Sequence, residues 1–94
     1  MRIVGNIEHP HCKITIFKTD SRFLVKFEAG LYEQTYKFRI NDIIKTVEDV
    51  RYFIDPDFVR HVIKHFNHMH LESSKAMARF TEDMEQPEEF EVII

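Results

Sequence analysis

The sequence predicts an α+β fold, in which a three-stranded antiparallel β-meander is followed by a short and a long α-helix packed on one face. Two observations carry this prediction. Apolar and polar residues alternate with a period of two in residues 12–40, whereas the apolar residues of 47–80 recur at helical spacing. The 94 residues are 44% hydrophobic, with two glycines and no low-complexity tract, which indicates one globular domain.

The strands are predicted from alternation. CKITIFK (12–18) and RFLVKFE (22–28) each place apolar residues on one side, and the polar residues between them favour a tight turn. A hairpin centred on that turn matches apolar with apolar residues along one face, and a slip of one residue would destroy the match. On the opposite face this register sets Phe17 beside Leu24. YEQTYKFRI (32–40) alternates in the same way and predicts the third strand.

The helices are predicted from capping residues and from a change of period. Thr46 is suited to cap a first helix, which is short because an Asp-Pro pair follows. Asp55 is a good N-cap for a second helix, and Pro56 fits its first position, where a missing N–H costs nothing. The apolar stripe of this helix extends over residues 58–80. The sequence leaves open whether residues 72–74 divide it into two helices.

The last residues, 81–94, form an acidic tail. Six acids and a proline favour a loop or an extended segment, and Phe90, Val92 and Ile94 then alternate. The tail is therefore predicted to form either a C-terminal edge strand or an apolar hook that docks on another surface. The single domain thus comprises a strand-rich part (1–45), a helical part (46–80) and this tail.

Charge is distributed unevenly along the chain. Residues 1–45 contain eight Lys and Arg against five Asp and Glu, whereas residues 46–94 contain five against eleven. The two halves therefore have opposite net charges of +3 and −6 and could attract each other within or between chains.

Small size and a Phe-rich core without a disulfide predict a homo-oligomer, since an interface between copies buries apolar area that a small monomer leaves wet. The lone cysteine, Cys12, fits a reducing compartment. The sequence has neither the long apolar core of a signal peptide nor an apolar run that could span a membrane, so we expect a cytoplasmic protein.

Four of the six histidines fall in HVIKHFNHMH (61–70). His61, His65 and His68 lie within about 60° of one another on a helix, and spacing of i, i+4 lets two imidazoles reach one zinc ion. They are the candidate metal ligands. Against this reading, no HExxH pattern or second cysteine completes a site. A proton-linked i, i+4 series of Asp57, His61 and His65 and a solvated helix flank are the other two interpretations.

The predicted outer face of the sheet is basic. Lys13, Lys26, Lys37 and Arg39 lie there with Phe17, which raises binding of single-stranded nucleic acid as an alternative function. The absence of an RNP-like motif and the glutamates among the cations favour a solvated face instead.

Catalysis has little support in the sequence. His11 and Cys12 are adjacent in a predicted strand and therefore face opposite sides, so they make a poor nucleophile pair. No combination of nucleophile, base and orienting group can be assembled, and no cofactor is implied.

We therefore expect an interaction module that associates with itself and recognises a protein partner. Its candidate interface residues are apolar side chains that the predicted core does not need: Phe17, Leu24, Phe80, Phe90 and Val92.

Two stretches, IEHPHCKITIF (7–17) and FLVKFEAGLYEQTYKFR (23–39), resemble a group of small uncharacterised bacterial proteins. The resemblance covers mainly residues 7–40 and implies a stand-alone cytoplasmic bacterial domain. It implies no activity, substrate or catalytic residue.

Overall fold

The chain forms an antiparallel β-sheet followed by two helices in the computed structural model, which describes the backbone of residues 1–93 and the side chains of residues 1–84. The strands lie in the sheet in chain order. The elements are β1 (Arg2–Ile7), β2 (Lys13–Lys18), β3 (Arg22–Ala29), β4 (Tyr32–Arg39), α1 (Val47–Phe53) and α2 (Pro56–Ile93). The predicted α+β class and the meander are confirmed.

The register of the β2–β3 hairpin is the predicted one. Ile14 pairs with Phe27 on the inner face, and Phe17 pairs with Leu24 on the outer face. The turn from β3 to β4 contains Gly30 at a φ of 60°, a left-handed conformation that glycine adopts without steric cost.

The prediction of three strands was wrong in number, because β1 adds a fourth strand at the edge beside β2. Its register shifts between Ile3 and Gly5, where a β-bulge interrupts the pairing. A bulge breaks the period of two along the strand, so the alternation that identifies the other strands is absent from β1.

α1 is tied to β1 through Arg51, whose Nη1 donates a hydrogen bond to the Asn6 carbonyl oxygen at 2.6 Å. The guanidinium lies over Gly5, where an added Cβ would come within 2.7 Å of Nη2. The glycine therefore leaves room for the contact between this helix and the edge strand.

Both helices begin at the predicted caps. The Thr46 hydroxyl accepts a hydrogen bond from the Asp49 N–H, and the Asp49 carboxylate accepts one from the Thr46 N–H, which makes a capping box. The Asp55 carboxylate accepts the Phe58 N–H at 2.8 Å at the start of α2.

The prediction of a loop or a C-terminal edge strand for the acidic tail was wrong, whereas the alternative of an apolar hook that docks on another surface stays a prediction. α2 continues unbroken through residues 72–74 and extends to Ile93, where a loop or a C-terminal edge strand was expected. Glu, Gln and Met favour helix, and these residue types dominate the start of the tail. The fourth strand of the sheet is β1, from the other end of the chain.

The core lies between the inner face of the sheet and the two helices. The sheet contributes apolar side chains from β2 and β3, and the helices contribute the apolar residues predicted from their period. Its buried members are Ile14, Ile16, Phe23, Val25, Phe27, Val50, Ile54, Val59, Val62 and Phe66. The helices therefore cover one face of the sheet only, as predicted.

Candidate interaction surface

The side of the sheet turned away from both helices, which we call the outer face, is made of rows of side chains that cross the strands. Strand pairing places Ile3, Phe17 and Leu24 side by side in one of these rows. Phe17 and Leu24 are half-buried, and Ile3 is 66% exposed. The two predicted interface residues of the sheet are thus brought together in an apolar row.

Ile3 could not be identified from the sequence as part of this row. The bulge next to Ile3 hides the alternation of β1, and only the pairing of β1 with β2 reveals its position opposite Phe17. The one feature of the sequence that indicated a strand here was an adjacent pair of β-branched residues near the start of the chain.

Basic side chains flank the apolar row. Lys37 lies opposite Leu24, and Arg22 lies opposite Arg39 in the next row. Like charges directly opposite each other across a strand pair are unfavourable, and neither arginine has a carboxylate opposite it in this strand pair. This end of the outer face therefore has a concentrated positive charge.

The other end of the outer face contains both basic and acidic side chains. Lys13 lies opposite Glu28, and Glu28 lies opposite Glu33. Lys26 Nζ lies 3.9 Å from Glu33 Oε1, although both side chains are partly exposed and such a pair contributes little stability. In total, the strands place five basic and two acidic residues on this face, which gives it a net charge of +3.

The four residues of the nucleic-acid hypothesis, Lys13, Lys26, Lys37 and Arg39, all lie on the outer face. Among the described side chains of its rows, Phe17 is the one aromatic group. Proteins that bind single strands combine a basic groove with several stacking aromatic rings, and these rows supply the basic groups with one such ring.

The second exposed apolar surface lies on α2. The stripe that enters the core with Val62 and Phe66 continues along the same side of the helix as Met77, Phe80 and Met84. These three side chains are 59–61% exposed. The predicted interface residue Phe80 is thus placed on an open apolar surface, while the side chains of Phe90 and Val92 lie outside the described residues.

α2 leaves the sheet near its midpoint. The hydroxyl of Tyr32, the first residue of β4, lies 3.3 Å from His70 Nδ1. Every described residue of α2 after His70 is exposed, as far as Met84. Residues 70–93, which we call the arm, therefore extend beyond the sheet, in a molecule that measures 68 × 26 × 19 Å.

His61, His65 and His68 are exposed on α2. His61 donates its Nδ1–H to the Asp57 carbonyl oxygen at 2.8 Å, which fixes the tautomer and leaves Nε2 free. Among the side chains that the structure describes, no group of three or more His, Cys, Asp or Glu residues is close enough to hold a metal ion.

The proton-linked interpretation requires the Asp57 carboxylate to contact His61, but this carboxylate forms no ion pair with the imidazole. It pairs instead with Arg60, at 2.6 Å from Nη2. The backbone carbonyl of Asp57, which cannot titrate, is the group that orients the imidazole.

His9 contacts the cysteine, which alternation did not predict. His9 Nδ1 accepts the backbone N–H of His11 at 3.1 Å and lies 3.8 Å from Cys12 Sγ. The chain bends between β1 and β2, so the alternation of a strand does not apply there. Burial raises the pKa of the Cys12 thiol, which favours its protonated form.

None of the described helices combines the length and the apolar character that a membrane crossing requires. In comparisons with known proteins, no family model matches this sequence, and neither a similar curated protein nor a similar solved structure is found.

Proposed function

We propose that this protein is a small interaction module that associates with itself through the arm of α2. One observation carries the proposal. The apolar stripe that packs α2 on the sheet continues through Met77, Phe80 and Met84, where the described part of the chain provides nothing for it to pack against.

The physical argument rests on how helices are stabilised. Most of the stability of a helix in a protein comes from packing its apolar side, and isolated helical segments are marginal in water. Residues 70–93 continue as helix beyond the sheet with a solvent-exposed apolar stripe. Docking the stripe on a protein surface would bury three large side chains and stabilise the arm.

A second copy of the chain is the partner we propose. Residues 80–93 contain six acidic and no basic residues, whereas the first 45 residues have a net charge of +3. Opposite charges on two parts of one chain favour association between copies, provided that the parts cannot meet within one molecule.

The test is the molar mass of the protein in solution, measured by light scattering after size exclusion. We expect the wild type to have twice the 11.4 kDa mass of the chain. The double substitution Met77→Glu and Phe80→Glu should reduce it to the monomer, because it places two charges in the stripe.

Leu71→Glu is the matched control. Leu71 is 48% exposed on the same arm but lies on the side of the helix away from the stripe, so this variant should remain dimeric. The stripe does not mediate self-association if the wild type is a monomer. The same conclusion follows if Leu71→Glu lowers the molar mass as much as Met77→Glu with Phe80→Glu does.

A further inference from the structure

The arm and the outer face of the sheet are complementary in two respects. Each has an apolar centre: Met77, Phe80 and Met84 on the arm, and Ile3, Phe17 and Leu24 on the outer face. Their charges are opposite, since the arm contains seven acids and two bases, a net charge of −5, whereas the outer face has a net charge of +3.

The two surfaces cannot meet within one molecule. The first half of α2 packs on the inner face through Val59, Val62 and Phe66, and the arm continues the same helix for about 36 Å at 1.5 Å per residue. To reach the outer face of its own sheet, the arm would have to break away from α2 and reverse its direction around the sheet edge. The contact is therefore between molecules.

Charge also decides between the pairings that two copies could make. Two outer faces would bring positive charge against positive charge, and two arms aligned along their acidic parts would bring negative charge against negative charge. With the arm of one copy on the outer face of the other, both the apolar and the charged groups match.

We propose that two copies form a two-fold dimer in which the arm of each chain packs across the outer face of the other chain's sheet. In a dimer with two-fold symmetry the contact occurs twice, and no arm or face is left to bind a third copy. If the contact occurred once between two copies, further copies could add to the free arm and the free face. Each α2 then covers the inner face of its own sheet and the outer face of the partner's. Every sheet acquires a helix on both sides.

The proposal names the surface and orientation for the self-association proposed above and rests on it. If the arm of each chain packs on the outer face of the other, a chain with a changed arm and a chain with a changed face should form a dimer together. A contact between two arms or between two faces does not predict this complementation. A face variant (Leu24→Glu with Lys37→Glu) retains an intact arm, and an arm variant (Met77→Glu with Phe80→Glu) retains an intact face. Alone, each loses both contacts of its dimer, so each should be a monomer by light scattering.

Mixed in equal amounts, the face variant and the arm variant should form a heterodimer of twice the monomer mass, because the intact arm of one chain docks on the intact face of the other. A chain with all four substitutions should form no heterodimer with the wild type, since both contacts are then damaged. Circular dichroism of each variant checks that the fold is retained.

A second pair of variants repeats the test without changing an apolar side chain. Lys37→Glu with Arg39→Glu makes the face less basic, and Glu82→Lys with Asp83→Lys makes the arm less acidic. All four of these positions are exposed. Each variant alone should dissociate, and the mixture should recover the mass of a dimer, since the unchanged acidic arm of the face variant then meets the unchanged basic face of the arm variant.

The outcomes distinguish this inference from the proposed function. If the arm variant is monomeric while both face variants remain dimeric, the arm mediates self-association by another contact and the exchange is overturned. The exchange is also overturned if arm and face variants are all monomeric and fail to complement each other in mixtures. A monomeric wild type overturns both proposals.

Discussion

At the scale of single residues, Asp49 is the titratable group with the clearest structural role. Its Oδ2 accepts the backbone N–H groups of Lys45 at 2.9 Å and Thr46 at 3.0 Å. These two hydrogen bonds hold the pKa of Asp49 below its usual value. The capping box of α1 therefore depends on the ionised carboxylate.

The expected consequence is a pH-dependent effect of Asp49→Asn. Because the pKa is lower in the folded than in the unfolded protein, the ionised carboxylate stabilises the fold above the unfolded value of about 3.9. This contribution is lost as the pH falls through the folded pKa. We expect the variant to unfold at a lower temperature than the wild type at neutral pH, with a difference that shrinks in acid below about pH 4.

Thermal unfolding followed by circular dichroism across this pH range measures the effect. Asp20→Asn is the matched control, since Asp20 is an exposed aspartate in the turn between β2 and β3. A difference for Asp49→Asn that stays constant with pH would contradict the role assigned to the ionised cap.

At the scale of secondary-structure elements, a hydrogen-bonded chain joins β4 to α2. Gln34 donates its side-chain N–H to the Val62 carbonyl oxygen at 2.9 Å, and the Tyr36 hydroxyl donates to Gln34 Oε1 at 2.6 Å. The Tyr36 ring also packs edge-on against Phe58. Gln34 thus links a strand to the second turn of α2, and Tyr36 orients the amide.

Tyr36→Phe removes the hydroxyl and keeps the ring. We expect it to lower the free energy of unfolding by about 1 kcal/mol, the usual net contribution of such a hydrogen bond. In a Gln34→Met background the same substitution should have a much smaller effect, because the acceptor is already absent. Urea unfolding of the four proteins measures the coupling, and equal effects in both backgrounds would show that the hydroxyl does not act through Gln34.

The elements differ in how well the sequence predicts them. Strands β2 to β4 alternate regularly enough to be identified, and the register of β2 with β3 follows from matching apolar residues. β1 has a bulge beside Ile3, and its position depends on pairing with a distant segment that local periodicity does not encode. The tail was misassigned because Pro87 and a run of acids favour a loop locally, whereas the structure continues α2 through them.

At the scale of the whole molecule, the sequence predicts which residues are exposed on the candidate surfaces. It does not predict that the arm and the outer face are complementary. Alternation places Phe17, Leu24 and Lys37 on one face, and helical spacing places Phe80 on the stripe of α2. Their complementarity depends on the arm being helical and directed away from the sheet. That follows from the direction of α2, which is fixed by core packing around Val62 and Phe66.

Salt dependence tests whether charge contributes to the proposed dimer. The Debye length falls from about 10 Å at 0.1 M to about 3 Å at 1 M salt, which screens the attraction between the acidic arm and the basic face. We therefore expect the dissociation constant to rise several-fold in sodium chloride over this range, as measured by sedimentation equilibrium. The apolar contact of Phe80 with the row of Phe17 and Leu24 should keep some dimer at high salt, because apolar burial is not screened. Self-association that strengthens with salt would mean that like charges meet at the interface, as they do when two outer faces or two acidic arms pair, and would exclude the exchange of arms.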